Sequence, residues 1–490
     1  MTKELFPAEI PNWIGGEERL AAGGELFDKL APHDGRVICR VARSRAADVE
    51  AAVATARKAQ PAWAEIPPVE RGSMLFTVCN LLEQRAEDVA RIVALETGKS
   101  FRDALGETGG AIACGRFYAG EGQRLFGRTV ASGTPNKHNM TMRQPCGVAG
   151  LIIAANTPIA NVAWKVFPAL LCGNAAVLKA AEDTPATAWI FAKIASEAGL
   201  PPGVLNIVQG FGEEAGAPLV ENPEVDVLSF TGSTAVGRWI GEVAGKRLLK
   251  VSLELGGKNP LVVCDDADLE KAADWVCLSV FSNAGQRCAA GSRIIVFDAV
   301  YERFRDMLVE AAGRLKVGPA DQDDLGAVIN ERQLNTMIAA VEGAKVNGAK
   351  ILIGGHRLPD PDHADGFYMA PTLIEDVGPE DEISTSELFG PIATLYRVRD
   401  FDQALALANN SPYGLTACIH TRNFDRAMQF CLKVQSGVAV VNAGTYGSEP
   451  HMPFGGVKQS GNGSREPGTE ALDIYSELKD VYLNIDPGRV

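Results

Sequence analysis

Residues 147–155 read GVAGLIIAA. This apolar run has the length of a buried strand and is far shorter than the roughly 20 residues that cross a bilayer. Four similar runs follow: NAAVLKA (174–180), GVLNIVQ (203–209), DVLSFTG (226–232) and LKVSLEL (249–255). The segments between them, such as TPATAWIFAKIASEAGL (184–200), have helical length and periodicity. Apolar strands alternating with helices predict an α/β fold with a parallel sheet covered by helices on both faces.

A second alternating set begins beyond 256, with PLVVC, SRIIVF, ILIGG, ATLYRV, LTACIH and VAVVN as its strands. It predicts a second α/β domain. HRLPDPDHADG (356–366) reads as a surface loop. Upstream, the first 125 residues read mostly as helix. Val49, Val53 and Ala56 recur at helical spacing, as do Leu82, Ala86, Val89 and Val93 in a next helix that Gly98 can end. The polar, Thr-rich stretch 127–146 looks like an exposed hairpin or arm.

Composition excludes several functions. With 47 Lys+Arg against 61 Asp+Glu, the formal net charge is −14, which disfavours nucleic acid or an anionic membrane as a partner. The ten cysteines contain no C-x-x-C pair, and the six histidines form no H-E-x-x-H or Cys/His cluster. Neither a disulfide framework nor a metal site is expected. Reduced thiols fit a cytoplasmic protein, and MTKELFPAEIPNW (1–13) lacks the apolar core of a signal peptide.

Two side chains carry candidate chemistry. In FSNAGQRCAAGS (281–292), Cys288 follows a helix-like segment, and Ala289, Ala290 and Gly291 leave room for a substrate. A cysteine is more often a buried small hydrophobe. Here Gln286 and Arg287 predict a polar, electropositive setting that favours the thiolate. In LELGGKNP (253–260), Glu254 ends an apolar strand, where open α/β sheets bind ligands. It is a general base of raised pKa or an ion-paired surface carboxylate.

Three segments bear on a cofactor. FTGSTAVG (230–237) follows a strand and opens a helix, as a phosphate site or as plain capping. GFGEEAG (210–216) has one residue too many for a dinucleotide fingerprint and reads as a decoy or a secondary contact. VLKAAEDTP (177–185) places Lys179 and Glu182 just beyond a strand. A carboxylate there accepts hydrogen bonds from a ribose diol, or merely starts a solvated helix.

Taken in order with LETGK (95–99), ELFGP (387–391) and PFGGVKQSGNG (453–463), these motifs resemble the NAD(P)-dependent aldehyde dehydrogenase superfamily over nearly the whole chain. The resemblance implies an NAD-binding, Rossmann-like domain at 1–126 and 147–256, a catalytic domain at 257–458, and a β oligomerisation arm at 127–146 and 470–490. It implies that Cys288 attacks the aldehyde, and that Asn156 in AANTP (154–158) joins the Cys288 backbone N–H in an oxyanion hole. Glu254 then activates the water that hydrolyses the thioacyl enzyme. Ile153, Lys179, Glu182, Phe230, Gly232, Ser233, Leu255, Glu387 and Phe389 are the implied cofactor contacts. Glu182 argues for NAD over NADP, because a carboxylate repels a 2′-phosphate.

The chain departs from the family pattern in places. Ala155 replaces the usual Trp before the asparagine, and GNGSREPG (461–468) carries one extra residue, which leaves Glu466 without a safe role. The loop 442–454 and the GQRC motif look similar to the α-ketoglutaric-semialdehyde-dehydrogenase-like branch. Arg287, Asn161 and His451 are then candidates for gripping an anionic tail. Trp164 and Tyr446 are candidates for an apolar slot that takes an aromatic aldehyde instead. A CoA-acylating relative would not need Glu254, and a phosphorylating one would need an anion pocket that the sequence does not display. A catalytically silent scaffold of the same fold is the remaining class. The arm predicts a homodimer or homotetramer.

Overall fold

Between Glu9 and Ala42 the chain forms short strands, among them Leu26–Leu30 and Val37–Ala42, where mostly helix was expected. Alternation in runs such as VICRVA, of only six residues, suits a strand and is too short for an independent helix. The computed structural model describes residues 5–489. Residues 1–4 and 490, included in the expected boundaries, lie outside the described residues.

Four helices follow: α1 (Ala46–Glu65), α2 (Pro68–Gln84), α3 (Ala86–Thr97) and α4 (Phe101–Glu121). Val49, Val53 and Ala56 lie on the buried face of α1. The expected helix through Leu82 and Val93 is two helices. Arg85 leaves the helical region at φ −111° and ψ 18°, so Leu82 belongs to α2 and the other three residues to α3. Gly98 ends α3 in the left-handed region at φ 78°.

The five apolar runs form parallel strands β1 (Val148–Ile152), β2 (Ala175–Lys179), β3 (Leu205–Val208), β4 (Val227–Thr231) and β5 (Lys250–Glu254). β1, β2 and β3 are buried at every position, as two-sided helix cover requires. Their spatial order is β5-β4-β1-β2-β3, extended by the antiparallel strands Asn12–Ile14 and Glu17–Arg19. Helices α5 (Pro158–Leu171), α6 (Pro185–Glu197) and α7 (Thr234–Lys246) connect and cover them. The chain winds outward from β1 through β3, then returns to the other side of β1 as β4. That reversal opens a crevice at the carboxyl ends of β1 and β4.

The second sheet contains β6 (Asn259–Val263), β7 (Gly291–Phe297), β8 (Lys350–Ile353), β9 (Thr372–Glu375), β10 (Ile392–Val398), β11 (Thr416–His420) and β12 (Val438–Val441). Its order is β8-β9-β10-β7-β6-β11-β12, parallel except for β8 against β9. A third sheet joins Thr129–Val130, Lys137–Pro145 and Ser476–Asn484, with Ser476 opposite Pro145 and Asn484 opposite Lys137. All ten cysteines are free. No described helix is long and apolar enough to cross a membrane, and no group of three His, Cys, Asp or Glu among the described residues is arranged to hold a metal.

Candidate active site

Cys288 lies in the loop before β7, at a cavity of about 390 Å³ shared with Asn156, Trp164, Arg287, Tyr446 and Phe454. The loop is held in an unusual conformation: Asn283 and Ala284 both have left-handed φ, at 55° and 51°. Such a conformation persists only where the surroundings over-determine it. Here the Asn283 amide donates to the carbonyls of Gln286 (3.1 Å) and Asn156 (3.3 Å). Gln286 is buried and accepts from the Ile329 N–H at 3.0 Å. On the other side, the buried Asn259 donates to the carbonyls of Cys288 (2.7 Å) and Ala290 (2.8 Å).

The expectation of an electropositive cysteine is overturned. Cys288 is half-buried, and its thiol is pushed up to about 12, first by burial and then by the carboxylates of Glu387 and Glu254. The backbone N–H groups of Ala289 and Cys288 oppose this without reversing it. Arg287 is not among the groups that act on the thiol. Its guanidinium donates to Ser282 Oγ at 2.7 Å and lies 4.5 Å from the centre of the Tyr446 ring.

Asn156 sits in the turn between β1 and α5. Its amide donates to the Gln286 carbonyl at 3.0 Å, which leaves its second amide hydrogen uncommitted. Asn161 is buried behind it, donating to the Ala154 carbonyl at 3.2 Å, and is absent from the cavity lining. Ala160 and Trp164 take the cavity-facing positions of that helix. His451 also lies away from the cavity, more than half exposed and 3.4 Å from Glu449. Of the proposed tail-binding side chains, only Arg287 lines the cavity. Trp164 packs against Phe454 with ring centres 5.5 Å apart.

Glu254 is buried, and neither of its carboxylate oxygens has a hydrogen-bond partner among the described residues. Burial first, then the neighbouring Glu466, pushes its carboxyl well above the ordinary range, against Lys165 and Arg465. Glu466 has a definite place after all. It accepts from Lys165 Nζ (2.8 Å), Ser229 (2.8 Å) and Tyr475 (3.0 Å), and the Lys165–Glu466 pair is fully buried.

The expected cofactor residues lie at or just beyond the carboxyl ends of β1, β2, β4 and β5, and just before β10. Ile153 and Phe230 are buried at the strand ends, and Leu255 packs where a Cβ on Gly237 would stand. A Cβ on Gly232 would collide with the Phe230 ring, so the backbone there stays bare. Ser233 caps α7 by accepting from the Val236 N–H at 3.4 Å. Lys179 Nζ meets Glu182 at 2.9 Å; burial raises the Glu182 carboxyl, and Lys179 brings it below the usual range. Glu387 accepts from the Gly257 N–H at 2.9 Å and is pushed up to about 7 by burial. Phe389 has a left-handed φ of 56°. A bare turn at a helix N-terminus beyond β4, with a carboxylate beyond β2, fits a dinucleotide. GFGEEAG instead forms a turn whose Glu214 pairs with Arg43.

Lys99, Glu107 and Asn259 were not among the candidates. Lys99 lies in LETGK and Asn259 in LELGGKNP, both segments singled out by the sequence, which gave neither side chain a role. Glu107 has no sequence signal because its role is set by a distant helix.

Comparison with known proteins gives a consistent result. The profile of the aldehyde dehydrogenase family matches residues 20–481. The chain is 38% identical over 475 residues to alpha-ketoglutaric semialdehyde dehydrogenase of Bacillus subtilis, covering 96% of this chain and 97% of that protein. It is 39% identical over 475 residues to the mitochondrial benzaldehyde dehydrogenase of Antirrhinum majus, covering 96% and 88%. The crystal structure of betaine aldehyde dehydrogenase from Staphylococcus aureus in complex with NAD+ superposes with a TM-score of 0.95 at 31% identity, covering 98% and 95%. Sequence and fold agree over almost the full length, and the chain belongs to the aldehyde dehydrogenase family, as an oxidoreductase that uses NAD(P) to oxidise aldehydes.

Proposed function

We propose that this enzyme oxidises a small semialdehyde to the carboxylate with NAD, through a thioacyl intermediate on Cys288. The observation that supports this reading is a cavity lined by Cys288, Asn156 and Arg287 together. Cys288 Sγ bonds to the aldehyde carbon, and its proton leaves to a base. The free amide hydrogen of Asn156 and the Cys288 backbone N–H stabilise the oxyanion of the hemithioacetal. NAD, when bound, supplies the two-electron acceptor that turns the hemithioacetal into the thioacyl enzyme. Glu254 takes a proton from water, whose oxygen attacks the thioester carbon and releases the acid and the thiol. The raised carboxyl of Glu254 suits that task.

Ile153, Lys179, Glu182, Phe230, Gly232, Ser233, Leu255, Glu387 and Phe389 would hold the cofactor. Glu182 favours NAD, although its bond to Lys179 offsets part of the repulsion toward a 2′-phosphate. Residues 1–126 and 147–256 form the cofactor domain in this reading, and 257–458 the catalytic domain. The arm at 127–146 and 470–490 joins copies into a homodimer or homotetramer, in the cytoplasm.

Arg287 is the group offered to an anionic tail, as in a semialdehyde that bears a carboxylate. The Trp164–Phe454 pair and the Tyr446 ring support a second reading, an aromatic aldehyde. The test compares kcat/KM for succinic semialdehyde and benzaldehyde in wild type and Arg287→Ala. We expect succinic semialdehyde to be preferred, with about a tenfold loss for that substrate alone on truncation. A preference for benzaldehyde that Arg287→Ala leaves intact overturns the anionic-tail assignment.

A further inference from the structure

The mechanism above leaves LETGK (95–99) unused, yet both charged residues of this segment act at the start of a helix. Helices α5 and α6 each begin Thr-Pro, and neither Thr157 nor Thr184 caps its own helix through its side chain. Glutamates from elsewhere receive the free N–H groups. Glu96 accepts from Ala186 and Thr187 at the start of α6. Glu107, on α4, accepts from Ile159 (3.0 Å) and Ala160 (3.3 Å) at the start of α5. The second oxygen of Glu107 meets Lys99 Nζ at 2.5 Å, and the same ammonium donates to the Asn156 carbonyl at 2.7 Å. The side chains of Lys99 and Glu107 are only 2% and 6% exposed, although both residues line the substrate cavity.

We infer that Lys99 and Glu107 are positioning residues for the oxyanion hole. Their ion pair locks the Asn156 peptide and so aims the Asn156 amide. This rests on the reading of Asn156 as the oxyanion donor. Asn156 lies in the bend just before α5, outside the helix's own hydrogen-bond ladder. Its side chain donates to the Gln286 carbonyl at 3.0 Å and accepts only a long bond, 3.5 Å, from Asn161. Its carbonyl is held by Lys99 and, more weakly, by Asn283 at 3.3 Å. Charge-assisted bonds are the stronger kind. Rotating the Asn156 peptide would break the bond to Lys99 and swing the Cβ that carries the amide. Glu107 fixes the other end, holding α5 and the ammonium through one carboxylate. Among the described residues, no hydrogen bond joins Lys99 or Glu107 to Lys179, Glu182, Gly232 or Ser233, so cofactor binding is separable from this role.

The test is a double-mutant cycle on the pre-steady-state NADH burst at saturating NAD. Lys99→Met keeps the stem and removes the ammonium. It should slow the burst about tenfold or more, while NAD affinity and the rate of Cys288 alkylation by iodoacetamide stay within about twofold. Lys99→Arg should recover most of the burst. In an Asn156→Ala background, Lys99→Met should add less than about a twofold loss. A full, multiplicative loss there overturns the inference and leaves Asn156 in its role. So does an unchanged burst in Lys99→Met alone. An unchanged burst in Asn156→Ala overturns both the inference and the reading of Asn156. Glu107→Gln, which keeps capping oxygen and removes charge, runs the same cycle should Lys99→Met fail to fold.

Discussion

Glu254 shows the conflict between stability and chemistry on a single side chain. A buried carboxylate with two unpartnered oxygens costs folding energy when charged. Because its folded pKa lies above the ordinary 4.5, the folded state holds its proton more tightly than the unfolded chain does. The cost is absent below about pH 4.5 and grows as pH rises toward the folded value. We expect Glu254→Gln to raise Tm by about 1–3 °C at pH 8, with the gain vanishing near pH 4.5, while steady-state turnover collapses to a single NADH burst. An equal gain in Tm at both pH values would remove the buried charge as its cause. The thiol leads to a second expectation. With Cys288 pushed up to about 12 and Glu254 also raised, kcat/KM should climb with pH across the neutral range. A flat profile from pH 6 to 9 would show that neither group titrates on the path to acylation. The motifs made both residues legible in sequence. The electrostatics of the thiol were not, because Arg287 is adjacent to Cys288 in the chain yet turns to Ser282 and Tyr446 in space.

At the scale of elements, local patterning located the strands well, because two-sided burial forces continuous apolar runs. It missed the N-terminal strands and merged α2 with α3, since a break at Arg85 involves neither Gly nor Pro. The external capping of α5 and α6 was also invisible, as each acceptor lies dozens of residues from its helix. Glu96→Ala tests this arrangement away from the proposed mechanism. Glu96 also accepts from Thr187 Oγ1 at 2.6 Å, so truncation strands two buried N–H donors and a hydroxyl. We expect a loss on the order of 3 kcal/mol in urea unfolding, and a smaller loss for Glu96→Gln, which keeps one acceptor. Equal stability of Glu96→Ala and wild type would mean that water takes over the cap.

For the whole molecule, the three-stranded arm leaves apolar side chains in solvent: Leu478 is 62% exposed and Tyr482 59%. The strand Ser476–Asn484 is also an unpaired edge, a feature that soluble proteins normally cover. We expect Leu478→Asp with Tyr482→Asp to lower the solution mass measured by light scattering, from dimer or tetramer toward monomer, with the far-UV spectrum retained. An unchanged mass would show that this edge is not the contact between copies.

Contiguous residues were enough to reveal the α/β class, the parallel strands, the family, and the candidate nucleophile, oxyanion donor and base. These depend on short contiguous motifs and on periodicity, which local chemistry imposes. Which of the remaining candidates share a cavity emerged from the folded chain. The fold turned Asn161 and His451 away from Cys288 and gave Glu466 a buried lysine. It also joined Lys99 to Glu107 and to the Asn156 carbonyl. A burial or a hydrogen bond between distant residues depends on where two chain segments cross, and no window of sequence contains both.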